Sequence, residues 1–318
     1  MGCLAPPELD EYEISKGSGM IDTIALVEEN ERIESESGRR YGRLRVRFSP
    51  SGREQVTILP GQFAMIRPRS LQEPLLRRAM AFYRVGKGPD GPLWTEFLYQ
   101  ILGRGTQALA RLRAGDEIDL LGSLGNTFDT TSVRGREAIL VGGGAGSPAL
   151  FLLAGALLDE GIGVRLFLGG ASRGDLCGYP DFVHLLGEER IHCATDDGTW
   201  GDRGFVTAPL QSYLERRPRE TPPPVVYACG PDPMLHRVAS IVAQLDVPAQ
   251  LSLEAPMACG YGICVGCAVP IRDTSPAGFS YRKVCTDGPI FWSHQLHWPS
   301  ARETASVERG AHERTDEE

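Results

Sequence analysis

The sequence predicts three structural units in a row: an antiparallel β-barrel, an α/β domain on a parallel sheet, and a small loop-rich module held by cysteine ligation. Three observations predict them. Residues 21–129 break into short runs such as RLRVRF, FAMIRP, AMAFYRV, LWTEFLYQIL and EIDLLG, with Gly and Pro between them. Their alternating apolar and polar positions, rich in β-branched and aromatic residues, mark half-buried strands. From about Arg136 the runs AILV, VRLFLGG, IHCAT and VVYACG alternate with helix-like stretches, PDFVHLLGEE, APLQSYLERR and PMLHRVASIVAQLD. Such alternation implies a parallel sheet with helices on its faces. Near the C-terminus, Cys259, Cys264, Cys267 and Cys285 stand in ACGYGICVGCAVP…YRKVCTDGPIF.

The units are expected at residues 21–132, 133–249 and 250–298. Disordered tails are expected at 1–20 and 299–318, where the sequence is polar. ALARLRAGD is expected to form one or two helical turns ending near Gly115, and RRPRETPPPVV a stiff loop between a helix and a strand. A chain of 318 residues, 42% of them hydrophobic, can fill two or three cores. The last 50 or so residues bury too little apolar surface to stand alone, and ligation would supply the missing cross-links.

Charge excludes some function classes. The net charge is −8 and the pI about 5.4, without basic runs, which makes a poor nucleic-acid binder. Positive charge is nearly all Arg, with lysine only at Lys16, Lys87 and Lys283, a bias best read as coding composition. No apolar run reaches the ~18 residues of a membrane span. The acidic N-terminal stretch lacks the apolar core of a secretory signal, and Pro6 stands where a myristoylation pattern wants Ser or Thr. A cytoplasmic location is expected. Eight cysteines in such a chain argue for thiolate chemistry rather than disulfides. Cys3, Cys177 and Cys193 are expected to be incidental small apolar fillers.

The spacing C-x4-C-x2-C with a distant fourth Cys is that of plant-type 2Fe–2S ligation. Thiolates are soft ligands that suit iron–sulfur centres and zinc alike. Zinc more often takes two C-x2-C pairs, and 4Fe–4S is a further alternative. Gly260, Gly262 and Gly266 interleave with the cysteines, so the backbone can curl close and aim N–H groups at sulfur. Tyr281 and Phe291 are expected to be core packing.

Gly142, Gly143, Gly144 and Gly146 follow the strand AILV and precede a helix. Such a turn lets a pyrophosphate approach backbone N–H groups, in a Rossmann-like arrangement. Close strand–helix packing is the other reason for glycine there. The pattern departs from G-x-G-x-x-G, and an acidic residue ~20 positions on is not evident. Cys229, Gly230, Pro231 and Asp232 end the fourth strand, again at the crevice where open α/β sheets bind nucleotides.

Together these pieces resemble the ferredoxin–NADP reductase superfamily, and most closely the electron-transfer subunit of two-component, NAD-dependent dihydroorotate dehydrogenase. The resemblance covers residues 21–298. It is carried by LLRRAMAFYRV, GRGTQALARLRAGDEIDLLGSLGNTF, ILVGGGAG, YACGPDPML and CGYGICVGC…VCTDGPIF. It implies an FAD between the barrel and a domain that binds NAD(P). Arg78 would pair with the flavin phosphate, a guanidinium fork suiting an oxyanion. Met80, Ala81 and Phe82 would line the flavin, and Gly103, Gly105 and Thr106 would serve its pyrophosphate. The family pattern Arg-Pro-x-Ser reads Arg78-Ala79-Met80-Ala81 here, so the hydroxyl beside the flavin N5 is missing.

Other implied features are less specific. The acidic pair in Thr195-Asp196-Asp197-Gly198-Thr199 is expected to be a capped, solvated loop. Arg173 stands where an adenosine ribose would lie, leaving NADH or NADPH open. Glu254 precedes the cluster loop, a position from which it could face the flavin.

The implied activity is electron transfer between a flavin-containing, dihydroorotate-oxidising partner and NAD, in pyrimidine biosynthesis. The expected order is partner flavin, cluster, FAD, NAD, within a heterotetramer. Alternatives are the small subunit of sulfide dehydrogenase or of NADH-dependent ferredoxin:NADP oxidoreductase. A non-enzymatic redox sensor or zinc scaffold is an alternative of another class.

Overall fold

The computed structural model describes residues 21–49, 57–70, 75–89, 91–218 and 221–298. The expected disordered tails, Cys3 and part of the proline-rich loop lie outside the described residues.

The first sheet contains β1 (Ile21–Glu34), β2 (Arg40–Phe48), β3 (Phe63–Pro68), β4 (Arg78–Ala81), β5 (Arg84–Gly88), β6 (Gly91–Gln100) and β7 (Glu117–Leu124). They lie in the antiparallel order β4-β3-β7-β1-β2-β6-β5. The two edge strands, β4 and β5, are consecutive in the chain, with Phe82 and Tyr83 alone between them. The sheet therefore curls until its edges approach, which removes most of the exposed edge. AMAFYRV is thus two strands rather than one, because the corner falls in its middle. In β2, Leu44, Val46 and Phe48 point into the barrel core with Ile66, Phe82 and Phe97. The alternate residues Arg43, Arg45 and Arg47 face outward. A short helix, α1 (Arg104–Leu109), connects β6 to β7.

The second unit is built from β8 (Ala138–Gly143), α2 (Phe151–Asp159), β9 (Val164–Gly170), α3 (Tyr179–Leu186), β10 (Ile191–Thr195), β11 (Asp202–Arg203), α4 (Thr207–Glu215), β12 (Val225–Cys229), α5 (Asp232–Gln244) and β13 (Ala249–Ser252). The C-terminal module adds the hairpin β14 (Ala268–Arg272) and β15 (Phe279–Lys283), then β16 (Ile290–Trp292). The second sheet has the order β11-β10-β9-β8-β12-β13-β16, parallel except for β16. Every residue of β8 is buried, as expected for a central strand covered on both faces. The chain runs outward from β8 through β9 and β10, then returns to β12 on its other side. The switch point, where such sheets bind ligands, therefore lies between β8 and β12.

The C-terminal module is not self-contained. β16 forms the edge of the nucleotide-type sheet, and β13 lies across the boundary expected at residue 250. One core cluster joins Phe63 and Met65 of the barrel, Ala228 and Leu251 of the parallel sheet, and Cys267, Val284, Cys285 and Phe291 of the module. A fully buried Met65 alone is worth about 1.5–3 kcal/mol of transfer free energy. Asn126, after β7, accepts from Ile290 N through its Oδ1 at 2.9 Å and donates to Ile290 O at 2.8 Å. A small module with too little core of its own is thus stabilised by sharing one.

The barrel and the α/β unit meet along a polar seam. Tyr41 Oη donates to Asp175 Oδ1 at 2.8 Å, and Tyr83 Oη to Asp181 Oδ2 at 2.5 Å. The Tyr83 ring packs edge-on against Phe151, with centroids 5.1 Å apart. Beneath it, Glu96 is 1% exposed and accepts from Arg43 at 2.8 Å and Arg45 at 2.5 Å. Arg43 continues to Asp181 at 3.1 Å. Arg43, an outward residue of β2, is thus drawn into the interface.

Candidate functional site: a cysteine cradle beside two ligand-binding turns

Among the four cysteines, Cys267 and Cys285 are buried, Cys259 is half-buried and Cys264 exposed. They fall into two pairs. Cys259 and Cys264 lie together in the glycine-spaced loop, whereas Cys267 and Cys285 are brought together by the bond from Val284 N to Cys267 O at 3.0 Å. Among the described residues, no three of His, Cys, Asp or Glu stand close enough together to hold a metal ion. Two pairs of thiolates suit a two-iron centre, which takes two on each iron. Desolvation works against the Cys259 thiolate, but backbone N–H groups of Cys264, Tyr261 and Ile263 outweigh it and hold the thiol down at about 6. Burial and the Cys267 thiol push Cys285 up to about 12.

Gly260 takes φ +82°, and a Cβ there would strike the Met65 side chain. Met65 pairs across β3–β4 with Ala79, so the cysteine loop rests on the strand next to the Arg78–Ala81 segment. Phe291 is buried as expected. Tyr281 is not: it is 67% exposed. It lies on the outer face of a two-stranded hairpin that nothing among the described residues covers. Cys177 and Cys193 are buried, and burial pushes their thiols up to about 12 and 11. That agrees with inert filler.

Arg78 and Gly105 come together. A Cβ on Gly105 would land on the Arg78 guanidinium, so glycine is required for the approach of α1 to β4. Arg77 pairs with Asp22 at 3.1 Å, whereas Arg78 donates to the Leu76 and Arg77 carbonyls and to no carboxylate among the described residues. Its charge is left uncompensated beside Gly103, whose Cα hydrogen side opens on free space. A phosphate fits that cradle. The Thr106 hydroxyl is occupied locally. It accepts from Leu102 N at 2.9 Å and Gly103 N at 3.2 Å, so its role is to cap α1. Met80 and Ala81 are half-buried, and Ala81 packs against the core of the α/β unit. Phe82 belongs to the barrel core at 1% exposure and presents no side chain to the groove.

The two glycine turns touch. A Cβ on Gly146 would lie 2.6 Å from Gly230 Cα, and one on Gly143 2.6 Å from Met234 Sδ. A Cβ on Gly142 would meet Ser147 Oγ at 2.7 Å. Close packing therefore explains Gly142, Gly143, Gly146 and Gly230. Gly144 differs: its φ is +51° and nothing lies within 4 Å of its Cβ position. It is the open floor of the turn, where a ligand backbone could approach. Pro231 and Asp232 stand exposed at the start of α5. The Cys229 thiol is enclosed, and burial and then the charge of Glu254 push it up to about 12. Glu254 keeps an exposed tip. The protein walling it in, and then the Asp232 carboxylate, raise its carboxyl above the usual range. The charges of Asp232 and Glu254 are thus felt at the C-terminal ends of β12 and β13, beside the switch point.

Arg173 lies with its guanidinium 4.2 Å from the Trp200 ring centre, and Asp197 is held by Thr199 in a turn, as expected for a solvated loop. A cleft of about 690 Å³ beside Phe205 and one of about 450 Å³ beside His236 lie away from these residues.

Residues 254–297 match the model of the iron–sulfur cluster binding domain of dihydroorotate dehydrogenase B. The chain is 38% identical over 239 residues to a dihydroorotate dehydrogenase B (NAD(+)) electron transfer subunit of Enterococcus faecalis, covering 74% of this chain and 86% of that one. It is 37% identical over 234 residues to that of Shouchella clausii, covering 73% and 84%. The chain belongs to this family. It is an oxidoreductase subunit for electron transfer, with FAD, a 2Fe–2S cluster and NAD(P) as its cofactors. Among solved structures, that of an NADH-dependent reduced ferredoxin–NADP oxidoreductase aligns with TM-score 0.69 and 24% identity, over 90% of this chain and 98% of that one. Phthalate dioxygenase reductase aligns with TM-score 0.56 and 14% identity, over 79% and 87%. Both share the fold of linked barrel and α/β unit. No helix among the described residues is long and apolar enough to cross a membrane.

Sequence reasoning missed Tyr41, Tyr83, Glu96, Asp175 and Asp181. Each is an ordinary residue in its local run, and its partner lies 51 to 134 positions away. No local signal marks them.

Proposed function

We propose that this chain carries electrons between a dihydroorotate-oxidising dehydrogenase subunit and NAD, in the cytoplasm, as a step of pyrimidine biosynthesis. The observation that carries this reading is the packing of the cysteine loop, through Gly260 and Met65, against the strand that pairs with Arg78–Ala81. When bound, a flavin links the two-electron chemistry of a nicotinamide to the one-electron chemistry of an iron–sulfur centre.

The chain's own residues hold and orient. Arg78 and the backbone around Gly103 and Gly105 anchor a diphosphate at the barrel rim. Gly144 leaves the dinucleotide turn open, and the Tyr41–Asp175 and Tyr83–Asp181 bonds fix one binding unit against the other. Ala81 offers no hydroxyl at the position the family fills with Ser. Cys259, Cys264, Cys267 and Cys285 hold the iron. Around Cys264, the exposed Tyr261, Ile263 and Val265 form an apolar collar, with Tyr281 on the nearby hairpin. That face suits the partner dehydrogenase, since apolar exposure of this kind marks a contact surface. A heterotetramer is the assembly we infer.

The test is to purify the native complex, identify its second subunit and assay dihydroorotate-dependent NAD reduction. Two iron per chain, flavin absorption near ~450 nm and bleaching by NADH are expected. A colourless protein holding one zinc would sink the reading. A large glutamate-synthase-like partner in place of the dihydroorotate-oxidising one would favour the ferredoxin-linked complexes.

A further inference from the structure

Lys283 is one of three lysines in a chain whose other 30 basic residues are arginine. It ends β15, two residues before Cys285, and pairs across the hairpin with Ala268, the residue after Cys267. Val284 N donates to Cys267 O at 3.0 Å beside it. Its side chain crosses to the other half of the cysteine set, where Nζ donates to Gly262 O at 2.9 Å. Gly262 lies inside the gap between Cys259 and Cys264. A Cβ at Gly262 would lie 3.6 Å from Nζ, an ordinary contact, so the ammonium sits directly against this stretch of the loop. Lys283 is half-buried, and no carboxylate among the described residues forms a salt bridge with it. The nearest acidic contact is Asp287, which accepts from the Lys283 backbone N–H at 2.7 Å.

An uncompensated ammonium thus bridges the backbone of both thiolate pairs. Four thiolates around two irons carry net negative charge, and adding one electron makes it more negative by one. A fixed cation nearby stabilises the reduced state over the oxidised one, by a Coulomb term that water screens poorly at a half-buried site. Net charge is among the factors that set such potentials. A compact ammonium concentrates its charge more than a guanidinium does.

We propose that Lys283 is a positioning residue that raises the reduction potential of the cluster held by the four cysteines. The step it biases is a one-electron reduction at iron: no bond forms or breaks, and Lys283 keeps its proton. The proposal rests on the electron-transfer reading above and adds to it a residue that tunes the relay.

The experiment is a redox titration of the full-length subunit in complex with its partner, with the cluster followed by electron paramagnetic resonance and the flavin by absorbance. Lys283→Gln is expected to lower the cluster's reduction equilibrium about tenfold, or ~59 mV for one electron, with the flavin potential unmoved. Lys283→Arg is expected to stay near the parent. A Lys283→Gln protein with two iron per chain and an unshifted potential overturns the proposal. If that variant fails to hold iron, Lys283→Arg decides: a parent-like potential supports the charge, and a lowered one overturns it. A parent protein lacking iron sinks the underlying reading instead, so the two failures are separable.

Discussion

The cysteine module and the seam between barrel and α/β unit hold the molecule together in opposite ways. In the module, ligands lie within 27 residues of one another, spaced by glycines, and its missing core is borrowed from both neighbours. Along the seam, buried and half-buried polar side chains from distant elements meet: Tyr41 with Asp175, Tyr83 with Asp181, and Glu96 under three arginines. The module can fail chemically while the rest of the chain stays folded. The seam cannot lose one partner without leaving another buried group unmatched.

Removing a ligand tests the first half of that contrast and has the largest expected effect. Cys267→Ser should abolish binding of both irons, read by iron assay and resonance, while Arg78 still retains flavin. Equal loss of flavin would show that the shared core carries the loss of ligation into the barrel. Next comes Glu96→Gln, which leaves Arg43 and Arg45 without their shared carboxylate. Both arginines are about a quarter exposed, so the cost belongs at the low end for a broken buried pair, about 3 kcal/mol, measured by urea unfolding. A change under about 0.5 kcal/mol would mean that solvent screens the network.

Two glycines of one turn should separate packing from openness. Gly146→Ala drives a Cβ into the Gly230 backbone and should cost about 2 kcal/mol, because backbone cannot swing aside. Tyr41→Phe should cost about 1.5 kcal/mol at neutral pH by removing a hydrogen bond to a carboxylate. Its pH dependence carries the information. Burial would raise the Asp175 carboxyl, but hydrogen bonds from Ser37, Tyr41, Ser172 and Ser35 outweigh it and hold the group below its ordinary value. The stability so gained is present above the unfolded value near ~4 and is lost as pH falls through the lower folded value. The gap between parent and Tyr41→Phe should therefore close in stronger acid, and a constant gap would assign the effect to packing. Gly144→Ala is the mildest change, about 1 kcal/mol for the positive φ, since space there is free. It should weaken NADH binding more than it weakens the fold.

Much of the architecture was legible in the sequence. The alternation in RLRVRF set one face of β2 toward the barrel, and the unbroken AILV run marked a central parallel strand. What escaped were short segments whose state depends on a neighbour. β13 and β16 carry four and three residues and exist because they pair with β12 and with each other. Tyr281 looked like core by its type, yet nothing among the described residues covers its face of the hairpin. The glycine turn had two readings, and neighbouring atoms assigned three of its four glycines to packing and one to openness.

The sequence by itself determined the ligand set and the order of the units, because thiolate spacing, glycine turns and hydrophobic period are local properties of the chain. Tertiary structure alone decided how these parts face each other: the backbone bond that brings Cys285 to Cys267, the Arg78–Gly105 approach, the seam and the reach of Lys283 across the cysteine loop. Each depends on side chains far apart in sequence, brought together by hydrophobic burial that no local window records.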